Sequence, residues 1–148
     1  MRIAAVDPGL KTGVCVVVFG DGGCTKLMDD EIDFDGVLAW CEDWMPGSDW
    51  VAVERFLITR QTATNSQAPW SLMVVGVVTA MAIRQDLDAK LVLQKPVDAM
   101  SLVTNDMLRT IGLWHRGGAG HANDALRHAV LCAVKRGWVF PGWLSDSF

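Results

Sequence analysis

The sequence predicts an α/β fold on a five-stranded mixed sheet, three antiparallel strands followed by two parallel ones, flanked by helices. Three observations predict it. Residues 3–6 form an apolar run that ends at Asp7-Pro8-Gly9 and reopens at Gly13 into a second apolar run, 14–19. A strand, a tight turn and a returning strand give that pattern. Gly20-Asp21-Gly22-Gly23 then marks a hairpin into a third strand. Beyond residue 33, two further apolar strands alternate with stretches of helical spacing, the order that makes strands parallel.

A chain of 148 residues suits one domain with a sizeable core, and a single domain over 1–148 is expected. The 51% hydrophobic content excludes disorder. A net charge of −4 excludes a broadly basic nucleic-acid binder, so any such binding rests on a local patch or on metal ions. Cys15, Cys24, Cys41 and Cys132 are scattered without a C-x-x-C pair. They read as reduced, mostly buried thiols of a cytoplasmic protein, not as a disulfide frame or zinc site. The N-terminus has no basic-then-apolar signal pattern. The longest apolar run, 72–83, is interrupted by Gly76 and Thr79. It is shorter than the roughly 20 residues of a membrane span, so no membrane partner is expected. There is no repeat, low-complexity tract or linker.

The elements follow in order. The third strand spans about 24 to 28, and an acidic stretch, 29–33, follows it. Asp33 or Asp35 caps a helix to about Met45. Val37, Trp40, Cys41 and Trp44 form its apolar face, and Pro46-Gly47 ends it. Trp50-Val51-Ala52-Val53-Glu54 is the fourth strand, and 55–69 is a polar loop. A helix from Trp70 to about Gln85 is apolar on every side in its middle. Such a helix must be covered twice: by the sheet, and by either a partner subunit or another helix of the same chain. We expect the partner, with Trp70, Met73, Val74, Val77, Val78 and Met81 at a homodimer interface. A fifth strand, 89–94, leads through Lys95-Pro96 into a helix from about 97 to 111, broken near Thr104-Asn105. A glycine-rich loop, 113–120, carries Trp114, His115 and Arg116. The last helix, about 121 to 135, packs through Ala122, Ala125, Leu126, Ala129, Val130 and Ala133.

Asp7 and Glu54 each end an apolar strand. On parallel neighbours they stand side by side, and two like charges raise a pKa unless a cation lies between them. The plainer alternatives are that Asp7 caps its own turn and that Glu54 pairs with Arg55 or Arg60. His121, Asp124 and His128 share one stripe of the last helix. Alone, Asp124 would simply complement the helix dipole. As the third acid, with a histidine one turn earlier, it completes an oxygen-rich set with one nitrogen: Asp7, Glu54, His121 and Asp124. That set suits Mg²⁺ or Mn²⁺, and the imidazole favours Mn²⁺. Two such ions about 3.5–4 Å apart clamp the attacking and leaving oxygens of a phosphoryl displacement. The loop donors Arg55, Arg60, Asn65 and Ser66 suit phosphate contacts. Phe56 or Leu57, beside the site, wedges a base step or packs under its own loop.

These motifs carry a resemblance over nearly the whole chain. Asp7-Pro8-Gly9 with Thr12-Gly13, Glu54 followed by Phe56 and Leu57, Asn65-Ser66 ahead of the Gly76 helix, and His121-Ala122-Asn123-Asp124-Ala125 resemble the ribonuclease-H-like superfamily, and within it the RuvC family of Holliday-junction resolvases. The last motif is the most specific, since sugar-kinase-like ATPases share the opening turn. Those ATPases need two such domains. The resemblance implies a homodimer that binds a four-way DNA junction and makes two symmetric nicks, leaving 5′-phosphate and 3′-hydroxyl ends. Asp7, Glu54, His121 and Asp124 carry over as catalytic residues and metal ligands, with histidine a variant at a position that is often Asp. Among the family's basic residues, Lys95 matches the first after the fifth strand. Arg109 is the nearest candidate for the second, and Arg116 joins them as a DNA contact. The turn between Asp7 and Gly13 is one residue shorter than the family pattern. The alternatives are a ribonuclease-H-like nuclease for other branched DNA or for RNA, and a non-catalytic junction-binding module.

Overall fold

The computed structural model describes residues 1–65 and 68–141. The strands are β1 (Arg2–Asp7), β2 (Lys11–Gly20), β3 (Gly23–Asp33), β4 (Trp50–Glu54) and β5 (Leu91–Gln94), in one sheet of order β3-β2-β1-β4-β5. β1 pairs antiparallel with β2 and parallel with β4; β2–β3 is antiparallel and β4–β5 parallel. The predicted mixed sheet is therefore present. The helices are α1 (Phe34–Trp44), α2 (Ala68–Arg84), α3 (Pro96–Leu102), α4 (Asn105–Thr110) and α5 (His121–Val134).

The two-residue period of the strands divides the core. Ala4, Val6, Val14, Val16, Val51 and Val53 face α1 and α2, with Val37, Trp40, Val74 and Val78 among their neighbours. Ile3, Ala5, Cys15, Val17 and Ala52 face α5, against Ala125, Leu126 and Ala129. By the same alternation Asp7 and Glu54 point to the α5 side. This is the link from strand pattern to site.

Three expectations are corrected. β3 does not stop near residue 28. The acidic stretch is strand to Asp33, paired as Cys15↔Asp29, Gly13↔Glu31 and Lys11↔Asp33. β3 is the sheet edge, where charged side chains are tolerated and pairing with the long β2 overrides weak strand propensity. β5 starts at Leu91, because Asp88–Lys90 form a short 3₁₀ turn first. On α2, Val74, Val78 and Met81 are buried within their own chain. They belong to the face that packs on the sheet, and a partner cannot reach them. Trp70 and Val77 are half-buried, Trp70 packing edge-on against Phe34. Met73 is exposed.

Candidate metal centre

The site lies where β1 and β4 end side by side. The turn after Asp7 is closed by Thr12 Oγ1 donating to Gly9 O at 3.0 Å and tied to α2 by Ser71 Oγ donating to Pro8 O at 3.0 Å. The N-terminus of α5 presses onto β2 at Gly13. A Cβ there would lie 1.8 Å from His121 O, so only glycine admits the helix. Gly120, the residue before α5, has φ +100 and no capping side chain. The free helix amides are bonded instead by Glu31 of β3. Its carboxylate accepts from Ala119 N, Gly120 N and His121 N, each at 2.9 Å. Burial pushes Glu31 up, but these backbone donors together hold its carboxyl below the usual range.

That placement brings His121 and Asp124 over the strand ends. Ligand atoms of Asp7, His121 and Asp124 all lie within 4.8 Å of one another. His121 Nδ1 is 2.9 Å from Asp7 Oδ2. Burial, with Glu54 and Asp124 nearby, pushes Asp7 up to about 6 against the pull of the His121 hydrogen bond. The same bond to Asp7 raises His121. Burial and Glu54 raise Asp124, opposed by Arg127. Arg127 ion-pairs with Asp124 and also reaches Asn105 and, at 3.1 Å, Val103 O. The picture is an acid cluster short of positive charge, with a donor set of carboxylate oxygens and one imidazole. Those donors fit a hard divalent cation.

Asp7, Glu54, His121 and Asp124 line one cleft of about 300 Å³, together with Phe56, Asn65, Arg127 and His128. Glu54 is not bonded to Arg55 or Arg60; its Oε2 is 3.0 Å from His128 Nε2. Phe56, not Leu57, turns into the cleft, while Leu57 is exposed. Pro96, Ala99 and Met100 form another part of its wall. Arg55, Arg60 and Lys95 are exposed and outside the lining. Arg109 and Arg116 line a separate cavity with Trp114, over whose ring Arg109 stacks at 4.2 Å. Ser66 lies outside the described residues. Sequence reasoning put His128 on the right stripe without giving it a partner, and missed Glu31 and Arg127. Arg127 follows Asp124 by three residues, a spacing that pairs charges on a helix. Glu31 had no local signal, since its partners are roughly ninety residues away.

No protein-family model matches the sequence, and no curated protein matches it. Among solved structures, the chain is similar to RuvC of Thermus thermophilus in complex with a Holliday-junction substrate. The TM-score is 0.69 at 19% identity, over 93% of this chain and 97% of that chain. A structure of Thermus thermophilus RuvC, also at TM-score 0.69 and 19% identity, covers 93% of this chain and 98% of that chain. The chain thus has a RuvC-like, ribonuclease-H-like fold.

Proposed function

We propose that this protein is a metal-dependent endonuclease that resolves four-way DNA junctions by paired symmetric nicks. The observation that carries this reading is the convergence of Asp7, Glu54, His121 and Asp124 in one cleft, in a fold whose structural neighbour binds a Holliday junction. Asp7, His121 and Asp124 would hold one divalent ion, with Glu54 joining Asp7 or Asp124 on a second; Mg²⁺ and Mn²⁺ both suit the donors. When bound, the ions polarise the attacking water and neutralise charge on the leaving oxygen. Water adds to phosphorus, the P–O3′ bond breaks, and 5′-phosphate and 3′-hydroxyl ends result. The chain's own residues prepare this step. Glu31 fixes the start of α5, His121 holds Asp7 through its hydrogen bond, and Arg127 orients Asp124. Phe56 offers an apolar edge against an unstacked base. The exposed Arg55, Arg60 and Lys95, with Asn65 in the cleft and Ser66 beside it in sequence, take phosphates near the nick. Arg109 and Arg116 take phosphates further along an arm.

Symmetric nicking needs two sites, so we take the functional unit to be a homodimer related by a two-fold axis. Leu72, Met73 and Ile83 are exposed on α2, and Gly76 beside them has open space around its Cβ direction. Among the described residues no helix is long and apolar enough to cross a membrane. The four cysteines are free, which fits a reducing cytoplasm. The test is nicking of a synthetic four-way junction with Mg²⁺ or Mn²⁺, beside linear duplex, a flap and an RNA–DNA hybrid. The reading predicts paired, ligatable nicks in the junction alone. Preferred cleavage of the flap or hybrid would make this a nuclease of another branched or hybrid substrate. Binding without cleavage would make it a junction-binding module.

A further inference from the structure

His128 is 1% exposed and bridges two strand ends. Its Nε2 lies 3.0 Å from Glu54 Oε2, and its Nδ1 lies 2.9 Å from the Gln94 side-chain amide. Glu54 and Gln94 are register partners at the ends of β4 and β5, and His128 stands one helical turn after Asp124. Gln94 is itself buried, at 4% exposure. Its amide satisfies all its neighbours in one orientation only. The amide nitrogen then donates to His128 Nδ1 at 2.9 Å and to His128 O at 3.1 Å, and the amide oxygen accepts from Cys132 N at 3.3 Å. A ring nitrogen that accepts a hydrogen bond carries no proton, so the proton of the neutral imidazole sits on Nε2. That N–H points at Glu54.

We propose that His128 is a positioning residue, its tautomer locked by Gln94, that holds Glu54 Oε2 by a hydrogen bond and so fixes the direction in which the Glu54 carboxylate meets a cation. The inference rests on the reading of Glu54 as a metal ligand. It deepens that reading by explaining how a carboxylate on a flexible two-carbon stem is aimed. A neutral donor is suited to this task. It fixes the carboxylate without adding a positive charge that would compete with the ion, and outer hydrogen bonds of this kind orient the ligands of metal sites.

The test combines NMR and Mn²⁺ titration of the full chain. In a long-range ¹H–¹⁵N spectrum, His128 is expected to be protonated on Nε2 and bare on Nδ1; a proton on Nδ1 overturns the proposal. Gln94→Glu places an acceptor against Nδ1 and is expected to move the proton there. Free Mn²⁺ is followed by electron paramagnetic resonance. His128→Phe keeps the ring volume but removes the donor, and is expected to weaken one Mn²⁺ site by about 10–100-fold. His128→Gln, whose amide nitrogen reaches a position near the lost Nε2, is expected to recover most of that affinity. Gln94→Glu supplies the same readout with the His128 ring left in place if His128→Phe does not fold. Glu54→Gln separates the two layers of the argument. If it weakens Mn²⁺ binding while His128→Phe and Gln94→Glu do not, the positioning role is wrong and Glu54 remains a ligand. If Glu54→Gln binds Mn²⁺ as wild type does, the ligand reading fails and takes this inference with it.

Discussion

The two longest helices, α2 and α5, are both rich in apolar residues and are used in opposite ways. In α5, ten of fourteen residues are buried. Its start is fixed twice, by contact with Gly13 beneath it and by Glu31 across its amides. In α2, five of seventeen residues are buried, and Leu72, Met73 and Ile83 are left open. The helix with no freedom carries His121 and Asp124. The helix with a free apolar side carries no charged residue before Arg84. Rigid packing is concentrated on the helix that brings His121 and Asp124 to the cleft, and among the described residues exposed apolar side chains are left on α2.

Two glycines sharpen this contrast most. Gly13→Ala puts a Cβ 1.8 Å from the His121 carbonyl. A backbone contact cannot yield as a side chain can, so α5 must lift. A loss of about 3 kcal/mol or more is expected in urea melts, with loss of nicking. Gly76→Ala meets no atom within 4 Å. It should stabilise the monomer by about 1 kcal/mol, the usual gain for replacing glycine inside a helix. If Gly13→Ala were silent, α5 would not be held as described.

Next in size is Asp7→Asn, which should abolish nicking and also flatten the pH dependence of metal-free stability. Asp7 titrates at about 6 in the fold against 3.8 for the unperturbed group. The folded state therefore binds more protons through that window, and its stability falls as pH rises from 3.8 toward 6. His121, also raised, acts in the same direction as pH rises through its own folded pKa. Thermal melts in a chelator should show the stability of the wild type relative to Asp7→Asn falling across this range. Added Mn²⁺ should stabilise the wild type at neutral pH and leave the variant almost unmoved. A stability difference between wild type and Asp7→Asn that stays constant or grows from pH 4 to 6 would contradict the assigned burial of Asp7.

The smallest effect on the monomer, and a clear one on assembly, is expected of Met73→Arg with Ile83→Arg. Both side chains are exposed, so melting of the monomer should shift by less than about 1 kcal/mol. Light scattering should report a monomer in place of a wild-type dimer, and the two nicks in a junction should become uncoupled. A wild-type monomer at micromolar concentration, alone and on junction DNA, would remove the assigned role of α2.

Much of this was legible in the sequence because it follows from local rules. Asp7 and Glu54 stand out because each breaks an apolar run, and alternation alone puts both on one side of the sheet. His121 and Asp124 stand out by helical spacing. What escaped depended on contacts distant in sequence. The acidic end of β3 looks like a loop until β2 is seen to pair along its length. Glu31 then becomes the cap of a helix whose own N-cap residue is glycine. On α2, composition marked a helix apolar all round but could not say which residues face the sheet. Val74 and Val78 proved to be the inner side because the sheet sets the helix's rotation.

The central claim is that Asp7, Glu54, His121 and Asp124 form one cation centre. Crystals soaked in Mn²⁺ and measured at a wavelength where manganese scatters anomalously test it most directly. The account predicts anomalous density in the cleft within coordination distance of Asp7 and Asp124, with His121 Nε2 as a nitrogen ligand and Glu54 touching a second ion. Manganese bound only elsewhere, or a cleft left without anomalous density at millimolar Mn²⁺, would contradict it.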